Sequence, residues 1–379
     1  MSSYHVKEIR NAYGFDDVAI VPGAVTLNPE LADTSFTLGE CSFETPFIAS
    51  AMDAVVDPSF AALMHEIGGL AVMNLEGIQT RYEDPTIALE TIIKASQDTV
   101  TTVLQEVYTK PIEEKLIQIR VEQIKASGSI CAVSVTPQNT KRLAPLAVEA
   151  GADVIVVQST VTTARHISRS YKGLVLSDLV PTLKGIPLVV GNCVTYDAAL
   201  ELIETGIDGL LVGVGPGAAC TTREVTGIGV PQVTATLECA AAREKHYANT
   251  GKYVAVITDG GLRTGGDICK AIVAGADAVM LGTPFAQSAE APGQGYNWGM
   301  AGKDSELPRG TRVGTGTTAP LAQIINGPTA VTNGTQNFLA ALKVCMGMVG
   351  AQNIREFQQA ELVLAPAIKT EGKHLQLNS

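Results

Sequence analysis

Residues 203–223 read IETGIDGLLVGVGPGAACTTR. A helix ends ahead of the polar, glycine-centred turn at Glu204–Asp208. The apolar run Gly209–Val212 follows as a buried strand, and it empties into a turn built on Gly213, Gly215 and Gly217. Glycines in such a turn let backbone approach a ligand closely and take up positive φ. A thiol, Cys220, stands on the far side of the turn, followed by the hydroxyls of Thr221 and Thr222. This is one way to present a nucleophilic sulfur to a bound substrate. The other reading is a packed cysteine behaving as a small hydrophobe. The segment alone leaves both open.

The same helix–glycine–strand unit recurs along the chain. Short apolar runs stand at Pro46–Ala51, Gly69–Asn74, Ile130–Val135, Asp153–Gln158, Pro187–Asn192, Gly209–Val212, Tyr253–Thr258 and Ala278–Gly282. They read as eight strands of the parallel, doubly covered kind. Helical patterns lie between them at Pro58–Ile67, Leu143–Ala150, Ala198–Thr205, Val233–Lys245 and Gly266–Ala274. The last four run into glycine turns (EAGAD, ETGID, NTGKY, VAGAD) that feed the next strand, the expected αβ junction. Eight such units predict an α/β fold, a (β/α)8 barrel forming one domain over residues 1–379. A doubly wound open sheet is the alternative, but its first βα turn should carry a dinucleotide fingerprint, and none is present.

Two stretches exceed a minimal barrel. Residues 75–129 predict two amphipathic helices, roughly Thr86–Val107 and Pro111–Ala126, covering the barrel or meeting another subunit. Residues 284–325, rich in Gly, Pro and Thr and carrying the sole tryptophan, Trp298, predict a mobile flap or substrate loop after the eighth strand.

The net charge of −11 argues against a broad nucleic-acid-binding face, although a local anion site made of backbone N–H groups needs no net positive charge. Seven scattered cysteines, without a CxxC pair or a histidine cluster, suggest neither zinc nor a disulfide framework. A cytoplasmic location fits, since the first residues lack an apolar leader core and no run is long enough to span a membrane.

Barrel chemistry belongs at the C-terminal strand ends. In order, these supply Ser50–Asp53, Gln158–Thr160, Gly191–Asn192, the Cys220 loop, Asp259–Gly261 and Leu281–Thr283. The seventh and eighth ends make the usual phosphate site, with Gly260, Gly261, Gly282 and Thr283 as donors. Asp259 is placed to accept from ribose hydroxyls, or else to cap the helix after Gly261. A thiol beside a phosphosugar site suggests covalent attack on a nucleotide's base.

The motifs GFDDVAIVPG from Gly14, SAMDAV from Ser50, VGVGPGAACTTR ending at Arg223, TGIGVPQ ending at Gln232, DGGLRTGGDI from Asp259, GADAVMLGT ending at Thr283 and YNWGM from Tyr296 follow one another over nearly the whole chain. In this order the chain resembles the IMP dehydrogenase/GMP reductase family, and SELPRGTRV from Ser305 resembles its IMP-dehydrogenase-related bacterial third subfamily, which lacks regulatory domains. The resemblance implies that Cys220 attacks C2 of a purine mononucleotide and that Thr222 helps activate water or ammonia there. It implies that Asp259 holds the ribose and that Ser50, Gly261, Gly282, Thr283 and Tyr296 hold the phosphate. Asn192 and Met52 would lie near ribose and base, with Gly299 and Met300 reading the base through backbone. Gln158, Ser159, Thr160, Gly213 and Gly215 would face a nicotinamide cofactor. The carbonyls of Gly215, Gly217 and Cys220 would form a potassium site, oxygen ligands on a hard cation. A homotetramer or octamer is implied as well.

Within the family, a dehydrogenase hydrolyses the adduct with an Arg–Tyr pair on a long flap, whereas a reductase pairs the threonine with a glutamate that handles ammonia. This chain has no Arg–Tyr dipeptide after residue 284, while Thr222 and Glu306 fit the reductase pattern. The expectation is therefore reduction of GMP by NADPH to IMP and ammonia. NAD-dependent IMP oxidation is the alternative, with Arg309 or Arg312 as water activator. A flavin-dependent barrel oxidoreductase and a silent nucleotide-binding regulator are more distant readings.

Overall fold

A computed structural model describes residues 7–167, 173–302 and 309–366. Eight parallel strands close into a barrel: β1 (Phe47–Ala49), β2 (Leu70–Asn74), β3 (Ala132–Val135), β4 (Val154–Gln158), β5 (Leu188–Cys193), β6 (Gly209–Val212), β7 (Ala255–Asp259) and β8 (Ala278–Leu281). Each pairs with the next, and β8 returns to β1 with Val279, Met280 and Leu281 opposite Phe47, Ile48 and Ala49. Six sit within the predicted runs, and β5 and β7 overrun theirs by one residue, at Cys193 and Asp259. Side-chain alternation splits the core in two. Ile48, Val72, Val156, Val189, Leu211, Ile257 and Met280 fill the barrel interior, while Phe47, Met73, Val157, Val190, Val212 and Val256 pack outward under the helices.

The predicted helices stand at Pro58–Glu66, Thr140–Glu149, Tyr196–Ile203, Gln232–Thr250 and Gly265–Val273. An unforeseen hairpin, Phe36–Leu38 with Cys41–Phe43, packs Phe36, Leu38 and Phe43 into the interior cluster. A second unforeseen pair ties Val18–Ile20 antiparallel to Leu362–Leu364, joining the two ends of the described chain. Among the described residues no helix is long and apolar enough to cross a membrane.

The insertion differs from the expected pair of helices. It forms a 3-10 turn at Ile78–Thr80 and three α-helices, Thr86–Lys94, Val100–Val107 and Glu114–Ala126. The first predicted helix breaks at Ala95–Thr99, where Ser96 and Thr99 pair their hydroxyls at 2.9 Å and compete with helical bonding. The connection after β8 is also more ordered than expected. Tyr296–Trp298 pairs antiparallel with Arg312–Gly314, Gly302 bridges Arg309, and Leu321–Asn326 is helical. Residues 303–308, and with them Glu306, lie outside the described residues.

Candidate active site

The C-terminal strand ends and the hairpin after β8 enclose a cavity of about 640 Å³, within the range of small-molecule sites. Its wall includes Ser50, Met52, Gln158, Ser159, Thr160, Asn192, Gly213, Gly215, Gly217, Cys220, Thr222, Asp259, Gly260, Gly261, Gly282, Thr283, Gly299 and Met300.

Cys220 reaches the cavity because its loop is fastened from behind. Its N–H donates to the Gly217 carbonyl at 3.0 Å. Arg223 donates from Nε to the Val214 carbonyl at 3.1 Å and from Nη2 to that of Val230 at 2.8 Å. Gly213, at φ +150°, is required: a Cβ there would sit 2.3 Å from the Asp259 carbonyl oxygen. Gln232 Nε2 then bridges the Val212 and Asp259 carbonyls at 2.7 and 3.0 Å, locking the end of β6 to that of β7. The result is a half-buried thiol whose Sγ lies 3.2 Å from Thr222 Oγ1.

Asp259 does not cap the following helix; Thr264 does, accepting from the Asp267 N–H. The Asp259 carboxylate instead faces two amides, Asn192 Nδ2 at 2.8 Å and Gln158 Nε2 at 3.1 Å, and Gln158 Nε2 also reaches Asn192 Oδ1 at 3.3 Å. Burial pushes its pKa up to about 6, against the opposing effect of the Asn192 bond. Gln158, expected beside the nicotinamide, thus spends its amide on the carboxylate expected to hold the substrate ribose. Of the proposed phosphate donors, the Gly260 N–H is committed to the Met280 carbonyl at 3.3 Å.

Two expectations on the hairpin need correction. Tyr296 does not line the cavity: a strand turns alternate side chains to opposite faces. Tyr296 and Trp298 pack with the insertion, and Asn297 enters the cavity wall between them. Asn297 is 2% exposed, and its Oδ1 has no partner among the described residues. The period-2 pattern of YNWGM carried this signal. Arg312 is not available to activate water. Its buried guanidinium lies 4.2 Å from the Tyr296 ring centroid and donates to the carbonyls of Ile92, Ile93 (3.0 Å) and Ala95 (2.9 Å), capping the helix Thr86–Lys94. Arg309, by contrast, lines the cavity.

No cluster of three or more His, Cys, Asp or Glu that could hold a metal occurs among the described residues. The Cys220 turn offers backbone oxygens, with the Gly217 carbonyl using one lone pair on the Cys220 N–H and keeping the second. That donor set, oxygen without nitrogen or sulfur, suits a hard cation.

The comparisons agree with this architecture. The family model described as IMP dehydrogenase/GMP reductase domain matches residues 12–373. An uncharacterized oxidoreductase of Mycobacterium leprae is 37% identical over 365 residues, covering 94% of this chain and 97% of that protein. The inosine-5'-monophosphate dehydrogenase of Cryptosporidium parvum is 31% identical over 296 residues, covering 76% and 71%. The crystal structure of an IMP dehydrogenase/GMP reductase-like protein from Corynebacterium glutamicum superposes with a TM-score of 0.89 at 33% identity, covering 96% of this chain and 97% of that one. With a closed eight-stranded barrel, a thiol loop on its sixth strand and a family match over nearly its full length, the chain belongs to the IMP dehydrogenase/GMP reductase family of oxidoreductases.

Proposed function

We propose that the protein reduces GMP to IMP and ammonia with NADPH, through a covalent bond between Cys220 Sγ and C2 of the purine. The observation that carries the covalent reading is the half-buried Cys220 thiol, 3.2 Å from a hydroxyl and sharing one cavity with the buried Asp259 carboxylate. Sγ adds to C2, the C2–amino bond breaks, and ammonia departs with a proton that Thr222 is placed to relay. A nicotinamide, when bound, would supply hydride to C2, and breaking the C2–S bond would then restore the Cys220 thiolate. Asp259 and Asn192 would hold the ribose, and Ser50, Gly261, Gly282, Thr283 and Asn297 the phosphate end. Ser159, Thr160, Gly213 and Gly215 would flank the nicotinamide. Potassium on the carbonyls of Gly215, Gly217 and Cys220 would stiffen the thiol loop.

The direction rests on which group meets the adduct. With Arg312 committed to its helix, one of the two arginines conceivable for hydrolysis is removed, which supports reduction. Arg309 in the cavity wall favours a second reading, NAD-dependent oxidation of IMP, because it leaves one cation able to orient water. Incubation with GMP plus NADPH, and separately with IMP plus NAD, followed at the reduced-cofactor absorbance band, separates them. Change only in the second pair ends the reductase reading, and turnover surviving in Cys220→Ala ends the covalent one.

A further inference from the structure

No residue of the insertion at 75–129 lines the cavity, yet the insertion holds the hairpin that closes the wall at four residues, Trp298, Arg309, Gly310 and Arg312. Asp53, directly after the cavity residue Met52, is 2% exposed and accepts from the Ile78 N–H at 2.9 Å and from the Tyr108 hydroxyl at 2.5 Å. The Tyr108 hydroxyl in turn accepts from Trp298 Nε1 at 3.2 Å, and Trp298 immediately precedes the cavity residues Gly299 and Met300. The returning strand is held in parallel. Thr101 Oγ1 donates to the Gly310 carbonyl at 2.9 Å, Gln105 Nε2 to the Arg309 carbonyl at 3.3 Å, and Arg312 caps the first insertion helix. The Arg81 guanidinium lies 5.9 Å from the Tyr108 ring centroid.

We infer that Tyr108, with Thr101 and Gln105, is a positioning residue of the reaction. Through Trp298 and the Arg309 and Gly310 carbonyls, the insertion sets residues 299–300 and 309–311 against the C2 end of the nucleotide. The inference rests on the proposed chemistry at C2. The ribose and phosphate groups belong largely to the rigid barrel ends, so disturbing the insertion leaves most nucleotide binding intact and acts on the chemical step.

The sole tryptophan makes the chain testable apart from turnover. Tyr108→Phe removes the acceptor of the Trp298 indole N–H and is expected to shift its emission maximum. It is also expected to lower kcat about three- to tenfold, the range for one lost hydrogen bond, with the nucleotide KM changing less than twofold. The double variant Thr101→Val/Gln105→Ala, which acts on the other strand, is expected to lower kcat to a similar degree without moving the emission. If Tyr108→Phe does not fold, the double variant carries the kinetic test alone. Unchanged kcat, or a loss confined to KM, overturns the inference. If the wild-type protein turns over neither substrate pair, the functional reading has failed on its own, and unchanged Trp298 emission in folded Tyr108→Phe then overturns the positioning chain separately.

Discussion

Gln158 Nε2 donates to Asp259 Oδ2 across 3.1 Å, spanning the barrel mouth between the C-terminal ends of the non-adjacent strands β4 and β7. A neutral donor at 158 lets the buried carboxylate ionise, where a second carboxylate would oppose it. Because burial raises the Asp259 pKa to about 6, and an ionised carboxylate accepts from ribose hydroxyls more strongly than a protonated one, kcat/KM should fall as pH drops through about 6. Gln158→Glu, nearly the same shape, sets two carboxylates in one buried site, and such pairs share a proton. Its acid limb should move to higher pH by a unit or more in initial-rate profiles. Superimposable profiles would show that the contact carries no electrostatic weight.

The same burial has a consequence for stability. The folded pKa of Asp259 lies above its ordinary value of 3.8. Its favourable contribution is therefore complete below about pH 3.8 and is lost as pH rises through about 6. At pH 7 the ionised group is a net cost, roughly 1–3 kcal/mol at about 1.4 kcal/mol per pKa unit. Asp259→Asn should therefore raise Tm at pH 7 and lose that advantage near pH 4, while turnover collapses. Asp53, also pushed up to about 6 by burial, is present in both proteins and drops out of the comparison. A lower Tm at pH 7 would show that the Asn192 and Gln158 bonds outweigh desolvation.

The barrel was legible because its strands are buried on both faces and announce themselves as short apolar runs between glycine turns. The strand-end rule then located Cys220, Asp259 and Asn192 together. The hairpin was harder to read. Gly, Pro and Thr between residues 284 and 325 signal loop, and the pairing of 296–298 with 312–314 depends on contacts far apart in sequence. Tyr296 was misplaced by motif, whereas the alternation that sends Asn297 inward is a property of the strand. The break at Ser96–Thr99 and the role of Arg312 become visible only once the hairpin lies on the insertion.

Asn297 leads to a direct test. Its Oδ1 is buried without a protein partner, and its Nδ2 lies near Gly282, 3.7 Å from where a Cβ there would stand. Oδ1 can only accept, so it is the Nδ2 donor that a phosphate group would engage. Asn297→Ala should raise the nucleotide KM about tenfold, the loss of one good hydrogen bond, with no loss of Tm. Tyr296→Phe, whose ring faces Arg312, should leave KM within about twofold. The reverse ranking would restore the phosphate role to Tyr296.

Arg309 and Arg312 should separate by phenotype. Arg312 donates to three carbonyls from a buried position, so Arg312→Ala leaves a helix end uncapped and should cost roughly 2 kcal/mol or more, read as a lowered Tm. Arg309→Ala should leave Tm nearly unchanged, because Arg309 is exposed and Gln105 bonds it through the backbone carbonyl. Its kinetic effect depends on the reaction. If water must attack the Cys220 adduct, removing the one cavity arginine of the hairpin should reduce IMP oxidation by about 100-fold or more. If ammonia departs instead and hydride follows, GMP reduction should fall less than about threefold, since Thr222 stays 3.2 Å from Sγ. Equal losses in both directions would assign Arg309 to a binding contact the two reactions share, and the choice between them would pass to the residues around Thr222.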